Sequence, residues 1–176
     1  MATRRQFLKL GLVSGAVLSG AGWLALRRET RPAIGFRALD ERSLAIVTAL
    51  VPAILDGALP EDPEARRIAR RETVEAFDRA IAGLTPAVRD EIGELFALLS
   101  LAPARIIAAG IVSSWDEASV AEVSAFLARW RSSRFDLPRA GFQALSQLVN
   151  AAWYGNAAAW PRIGYPGPPA SVPLAP

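Results

Sequence analysis

Residues 62–83 read Asp62-Pro63-Glu64-Ala65-Arg66-Arg67-Ile68-Ala69-Arg70-Arg71-Glu72-Thr73-Val74-Glu75-Ala76-Phe77-Asp78-Arg79-Ala80-Ile81-Ala82-Gly83. Asp62 has the short acceptor side chain of an N-cap, Pro63 suits the first helical position, and Glu64 places a negative charge at the positive end of the helix dipole. Val74, Phe77 and Ile81 then recur at helical spacing, and Gly83 supplies a stop. The stretch predicts one amphipathic helix of about five turns. Arg66, Arg67, Arg70 and Arg71 share it with Glu64, Glu72, Glu75 and Asp78. That mixture reads as a solvated, ion-paired face; a docking stripe for an acidic partner or lipid headgroups is the weaker reading.

The same signals repeat along the chain. Asp40 is a plausible N-cap for a helix with Leu44, Val47, Val51 and Ile54 on one face, which Pro52 should kink or end early. Thr85-Pro86 opens another, with Val88, Ile92, Leu95, Phe96 and Leu99 directed inward. Ser114 and Glu117 have capping-box spacing ahead of Val120, Val123, Phe126, Leu127 and Trp130. Asp136 precedes a last long helix carrying Phe142, Leu145, Leu148, Val149 and Trp153. Residues 95–112 are almost wholly apolar, yet Pro103 and Arg105 sit near their middle. A central arginine costs about 2.5–3.5 kcal/mol on insertion into a membrane, so two core helices meeting at Pro103 explain the stretch better. No alternating strand of useful length appears. The expectation is an all-α fold, a small helical bundle of about five to six helices with an extended Pro/Gly/aromatic C-terminal tail. Residues 1–28 form a leader, 29–38 a linker, 39–154 the helical domain and 155–176 the tail.

Composition narrows the chemistry. The chain has 176 residues, 20 Lys+Arg against 17 Asp+Glu, and neither histidine nor cysteine. Without cysteine there is no disulfide, thiolate zinc site, iron–sulfur cluster, thiol nucleophile or c-type haem attachment. Without histidine the usual general base, the commonest metal ligand and any Ser-His-Asp triad are missing. The net charge of +3 is local. Arg4, Arg5 and Lys9 account for it, leaving 17 basic and 17 acidic residues in 27–176, so nucleic-acid binding has no electrostatic footprint.

Those three cations precede an apolar stretch, residues 10–26, holding four glycines and only Ser14 and Ser19 as polar side chains. A basic segment followed by a weakly hydrophobic one is the layout of an export signal. Thr3-Arg4-Arg5-Gln6-Phe7-Leu8-Lys9 resembles the twin-arginine translocation signature at every defined position, with Arg4, Arg5, Phe7, Leu8 and Lys9 as the export residues. The resemblance implies passage of a folded protein through the twin-arginine translocase to the periplasm. Gly20-Ala21-Gly22 is only a small-x-small triplet, and 17 residues lie at the short limit of a bilayer span. Removal of the leader and its retention as an inner-membrane anchor both stay open.

The tail begins Trp153-Tyr154-Gly155-Asn156-Ala157-Ala158-Ala159-Trp160-Pro161-Arg162-Ile163-Gly164-Tyr165-Pro166-Gly167-Pro168-Pro169. Prolines deny backbone donors, so an extended or polyproline-like course is expected. Its aromatics either close the bundle's own core or meet a partner. The second reading assigns Trp153, Tyr154, Trp160, Tyr165, Pro166, Gly167 and Pro168 to a partner contact. Gly155 and Asn156 fit a helix C-cap.

The tail run from Trp153 resembles the C-terminal signature of the gluconate 2-dehydrogenase subunit 3 family, and the gamma subunits of FAD-dependent sugar dehydrogenases are similar. Those small subunits also begin with a twin-arginine signal, and the Leu-rich segment ending at Val51-Pro52 is similar to the family's early helix. The resemblance is sharp over about forty residues at the two ends. It implies a non-catalytic small subunit, no cofactor in this chain, and a large partner of the glucose-methanol-choline oxidoreductase type that holds FAD. A cytochrome c subunit often accepts the electrons in such complexes. The small subunit binds and stabilises the large one and escorts it through the export pore. Some gamma subunits carry cysteines that tie them to the large subunit; this chain has none, so its complex would be noncovalent. The absence of His, Cys and G-x-G-x-x-G agrees with a subunit that leaves flavin and haem to others. The alternative is a stand-alone, membrane-anchored periplasmic helical protein with a structural or binding role. A small enzyme would have to work through carboxylates alone, such as Glu61/Asp62, Asp90/Glu91 or Asp116/Glu117, each placed where a helix start explains it.

Overall fold

A computed structural model describes residues 31–167. Within them the chain is all-α: six helices, five of them of seven residues or more, and no strand. They are α1 (Glu41–Ile54), α2 (Pro63–Ala82), α3 (Pro86–Ser100), α4 (Ala102–Ala104), α5 (Val120–Arg131) and α6 (Asp136–Tyr154). A π turn, Arg105–Ala109, continues α4, and a 3-10 turn, Ala157–Ile163, follows α6.

Helix α1 is the axis of the bundle. Its only charged residues, Glu41 and Arg42, stand at its start, and Ile46, Val47, Leu50 and Val51 have no measurable exposure. It packs on α2, α3, α5 and α6, and α2 packs in turn on α6. Each fully buried aliphatic side chain stabilises by about 1.5–3 kcal/mol relative to exposure, so this one helix carries a large part of the core. The starts follow the sequence signals. Asp40 accepts from the Ser43 amide at 2.8 Å and Asp62 from the Ala65 amide at 2.8 Å. Pro52 lies in the last turn of α1, which ends two residues later.

Several expectations are corrected. Ser114 does not cap α5: a turn closes there through the Glu117 amide to the Ser114 carbonyl at 3.2 Å, and Ser119 forms the capping box with Glu122. The cause is Trp115, which is buried and donates its indole N–H to the Leu99 carbonyl at 2.9 Å, drawing the preceding segment against α3. The break between α3 and α4 falls at Leu101, in extended conformation, and Pro103 takes an early position in the next helical piece. That piece widens into the π turn and stops at Gly110, whose φ of 63° is the left-handed conformation glycine adopts without steric cost. Val88 and Val120 face solvent rather than the core. Asp136 lies inside the first turn of α6, after Phe135.

The two flanks of the domain are also more ordered than expected. The Ala33 amide donates to the Leu39 carbonyl at 2.8 Å, so the described part of the linker folds back on itself. The tail, expected to be extended from residue 155, instead makes the 3-10 turn before its Pro/Gly run. The small side chains of Ala157 and Ala159 suit that tight winding, and Ala159 is buried.

Candidate functional site

The tail aromatics divide between core and surface. Trp153 is 2% exposed and belongs to the hydrophobic core, which removes it from a contact surface. Tyr154, one residue on, is 40% exposed. The Trp160 indole N–H donates to the Tyr154 carbonyl at 3.0 Å, and the Tyr165 amide donates to the Trp160 carbonyl at 3.0 Å. These bonds bring the Trp160 and Tyr165 rings edge to face, 5.3 Å between centroids. A Cβ on Gly167 would stand 3.0 Å from the Trp160 ring, so the chain passes directly over that indole. The result is a compact hook whose outer side shows Tyr154, Ile163, Tyr165 and Pro166. Asn156, expected only to cap α6, fixes the hook to the bundle by donating to the Glu72 carboxylate at 3.1 Å. Pro168 and the export residues Arg4, Arg5, Phe7, Leu8 and Lys9 lie outside the described residues.

A second surface was not foreseen. Helices α3 and α6 both pack on α1 but make little contact with one another. The opening between them is a groove of about 930 Å³. One wall carries Leu84, Val88, Ile92, Leu95 and Leu98; the other carries Leu137, Gly141, Ala144, Leu148 and Ala151. Both sets advance by three or four residues, the period of a helical stripe. Trp130 contributes to the lining from α5 and Ile107 from the π turn, with Glu91 and Glu94 among the lining residues on the α3 side. A Cβ on Gly141 would stand 2.5 Å from the Trp130 ring, so only glycine lets that ring lie against α6. Ile107 and Leu137, 85% and 77% exposed, carry apolar surface to the groove's edge, where Glu91, Glu94 and Arg129 add charge. The sequence signal for it was the excess width of the apolar face of α3, where Val88 and Leu98 exceed what one core stripe needs.

Several ionisable groups hold the fold together. Asp78, read from sequence as part of a solvated face, is 3% exposed. Its carboxylate accepts from the backbone amides of Arg37 at 2.8 Å and of Ala38 and Leu39 at 2.9 Å, pinning the end of the linker to α2. The rest of that helix fits the ion-paired reading. Arg67 and Glu64 pair at 2.5 Å and Arg71 and Glu75 at 3.7 Å. The Arg67 hydrogen bond holds the Glu64 carboxyl below the usual carboxylate range. The pairs Glu61/Asp62, Asp90/Glu91 and Asp116/Glu117 are all exposed, and Asp90/Glu91 stand in the second turn of α3 rather than at its start. Among the described residues no group of three or more acidic side chains is placed to hold a metal ion, and no helix is long and apolar enough to cross a membrane. Arg129 donates to the Ala109 carbonyl and ties α5 to the π turn.

Comparison with known proteins returns no match, whether to family models, curated proteins or solved structures.

Proposed function

We propose that this chain is the non-catalytic small subunit of an FAD-dependent sugar or alcohol dehydrogenase, which it binds, stabilises and escorts through the twin-arginine export route to the periplasm. The observation that carries the reading is the pairing of the Arg4-Arg5 leader with the aromatic hook. Tyr154, Ile163 and Tyr165 present apolar and amphipathic area, held in place by the Trp160 bonds. Aromatic side chains fixed before binding lose little entropy on association, which is the character of an interface anchor. A subunit that binds only the folded large chain stabilises it by mass action and selects the export-ready form.

The test is native purification of the chain with its large partner from cells that make both. The account expects a flavoprotein with a dinucleotide-binding Gly motif and no signal of its own. Trp160→Ala combined with Tyr165→Ala should weaken that association at least tenfold at unchanged helicity, the effect of losing an interface anchor of about 1.4 kcal/mol or more. Unchanged co-purification of the double variant would remove the hook from the interface.

A further inference from the structure

We infer that the groove between α3 and α6 is the docking site for the apolar leader of this same chain, residues 10–26. The groove is helix-sized. Its walls run from residue 84 to 98 and from 137 to 151, about 21 Å each at 1.5 Å per residue, and the 17 residues of the leader stretch would span about 25 Å as a helix. Its wall chemistry also fits. The α6 wall is stepped down by Ala140, Ala144 and Ala151, with Gly141 covered by the Trp130 ring, and the leader offers Gly11, Gly15, Gly20 and Gly22 beside Val13, Val17 and Leu24. Small residues on both sides allow close approach of the backbones, with the larger side chains filling the α3 side.

Charge points the same way. The leader stretch is flanked by Arg4, Arg5 and Lys9 before it and by Arg27 and Arg28 after it, with no acid among residues 1–28. Of the charged residues lining the groove, Glu91 and Glu94 on the α3 side outnumber Arg129, whose guanidinium is bonded to the Ala109 carbonyl, and Asp90 is exposed beside the two acids. The tether reaches. Leu39, pinned by Asp78, shares a small cavity with Ile92, Gly93 and Phe96 of α3, and Ile92 also lines the groove. The described end of the linker therefore enters the domain beside the helix that forms one wall. The fold-back begins at Ala33, and the six residues 27–32 before it can cover up to about 20–22 Å when extended, about twice the 10–12 Å diameter of a helix. Attachment on the same chain makes the encounter intramolecular, with an effective concentration in the millimolar range. Docking then removes the groove's exposed apolar surface from water. Docking itself needs no assumption about export. Its consequence does rest on the export reading: a docked leader is withheld from the translocase until the groove is opened.

Because the chain contains no cysteine, paired cysteines report the contact directly. The full chain would carry Gln147→Cys, an exposed groove position, together with Val13→Cys, Val17→Cys or Ala21→Cys in turn, and would be oxidised in detergent-free buffer. Ala144→Cys provides a second groove position, and Glu64→Cys, outside the groove, a control. The inference expects at least one groove pair to form an intramolecular disulfide in most molecules, unchanged by tenfold dilution, and the Glu64→Cys pairs to form little. Disulfides between chains that fade on dilution would assign the groove to a second copy and overturn the inference. Absence of any groove disulfide, or equal yield with Glu64→Cys, would overturn it as well. None of these outcomes depends on the dehydrogenase partner, so failure here leaves the proposed function standing.

Discussion

Asp78 sits on a helix crowded with arginines and yet pairs with none of them; its partners are three consecutive main-chain amides of the linker. Nothing in the local pattern of α2 distinguishes it from Glu75, because its role depends on residues 37–39 returning to it from some forty positions upstream. Asp78→Ala strands buried N–H donors that bonded to a charged acceptor, and should cost about 3–5 kcal/mol. Asp78→Asn keeps an acceptor oxygen for the Ala38 and Leu39 amides and should cost less, about 1–2 kcal/mol. Urea unfolding with an unchanged m-value checks both, and equal stability of all three proteins would show the clip to be dispensable. Gly141 poses a contest of two effects. Gly141→Ala gains about 1 kcal/mol of helix propensity, but its Cβ meets the Trp130 ring at 2.5 Å, and overpacking of that kind costs about 1–3 kcal/mol. The ring is itself buried against Phe126, 4.6 Å away between centroids, so the steric term should win with a net loss of about 1 kcal/mol. A rise in thermal midpoint instead would mean the ring has room to move.

At the scale of elements, α5 is the case where two sequence signals competed. Ser114/Glu117 and Ser119/Glu122 share the same spacing, and burial of Trp115 decides in favour of the second. The Glu122 carboxylate accepts from the Ser119 backbone amide at 2.9 Å and from its hydroxyl at 2.7 Å, and these bonds hold its pKa below the usual carboxylate value. A carboxyl depressed in the folded state stabilises above its unfolded pKa, and that contribution is lost as pH falls through the folded value. The first turn of α5 should therefore fray in acid, with faster amide exchange at residues 119–122. In Glu122→Gln that step should vanish, and a persistent step would place its origin elsewhere. The caps at Asp40 and Asp62, the proline starts of α2 and α3 and the core stripe of α1 were all legible, because each is written within a few residues. The π turn, the Asp78 clip and the hook around Trp160 were not. Each depends on contacts between distant segments or on a winding that a 3.6-residue period does not describe. The groove was half legible: the wide apolar face of α3 was present in Val88 and Leu98, but not that α6 would stand away from it.

For the whole molecule, the contrast is between a formally neutral body and a leader that holds the entire charge excess. Within the described residues the bundle buries one continuous core around α1. Much of its exposed apolar area lies in two places, the hook after α6 and the groove beside α3, while Ile34, Val112 and Phe135 are exposed outside both. The proposals give them separate occupants: the large subunit for the hook, the leader for the groove. Export of the partner should then depend on this chain's arginine pair and on nothing in the partner's own N-terminus. The most direct measurement is the distribution of the FAD-bearing partner between cytoplasm and periplasm when Arg4→Lys and Arg5→Lys are introduced together. The account predicts that both proteins remain in the cytoplasm, still associated and with flavin bound. A partner that reaches the periplasm unchanged would contradict it.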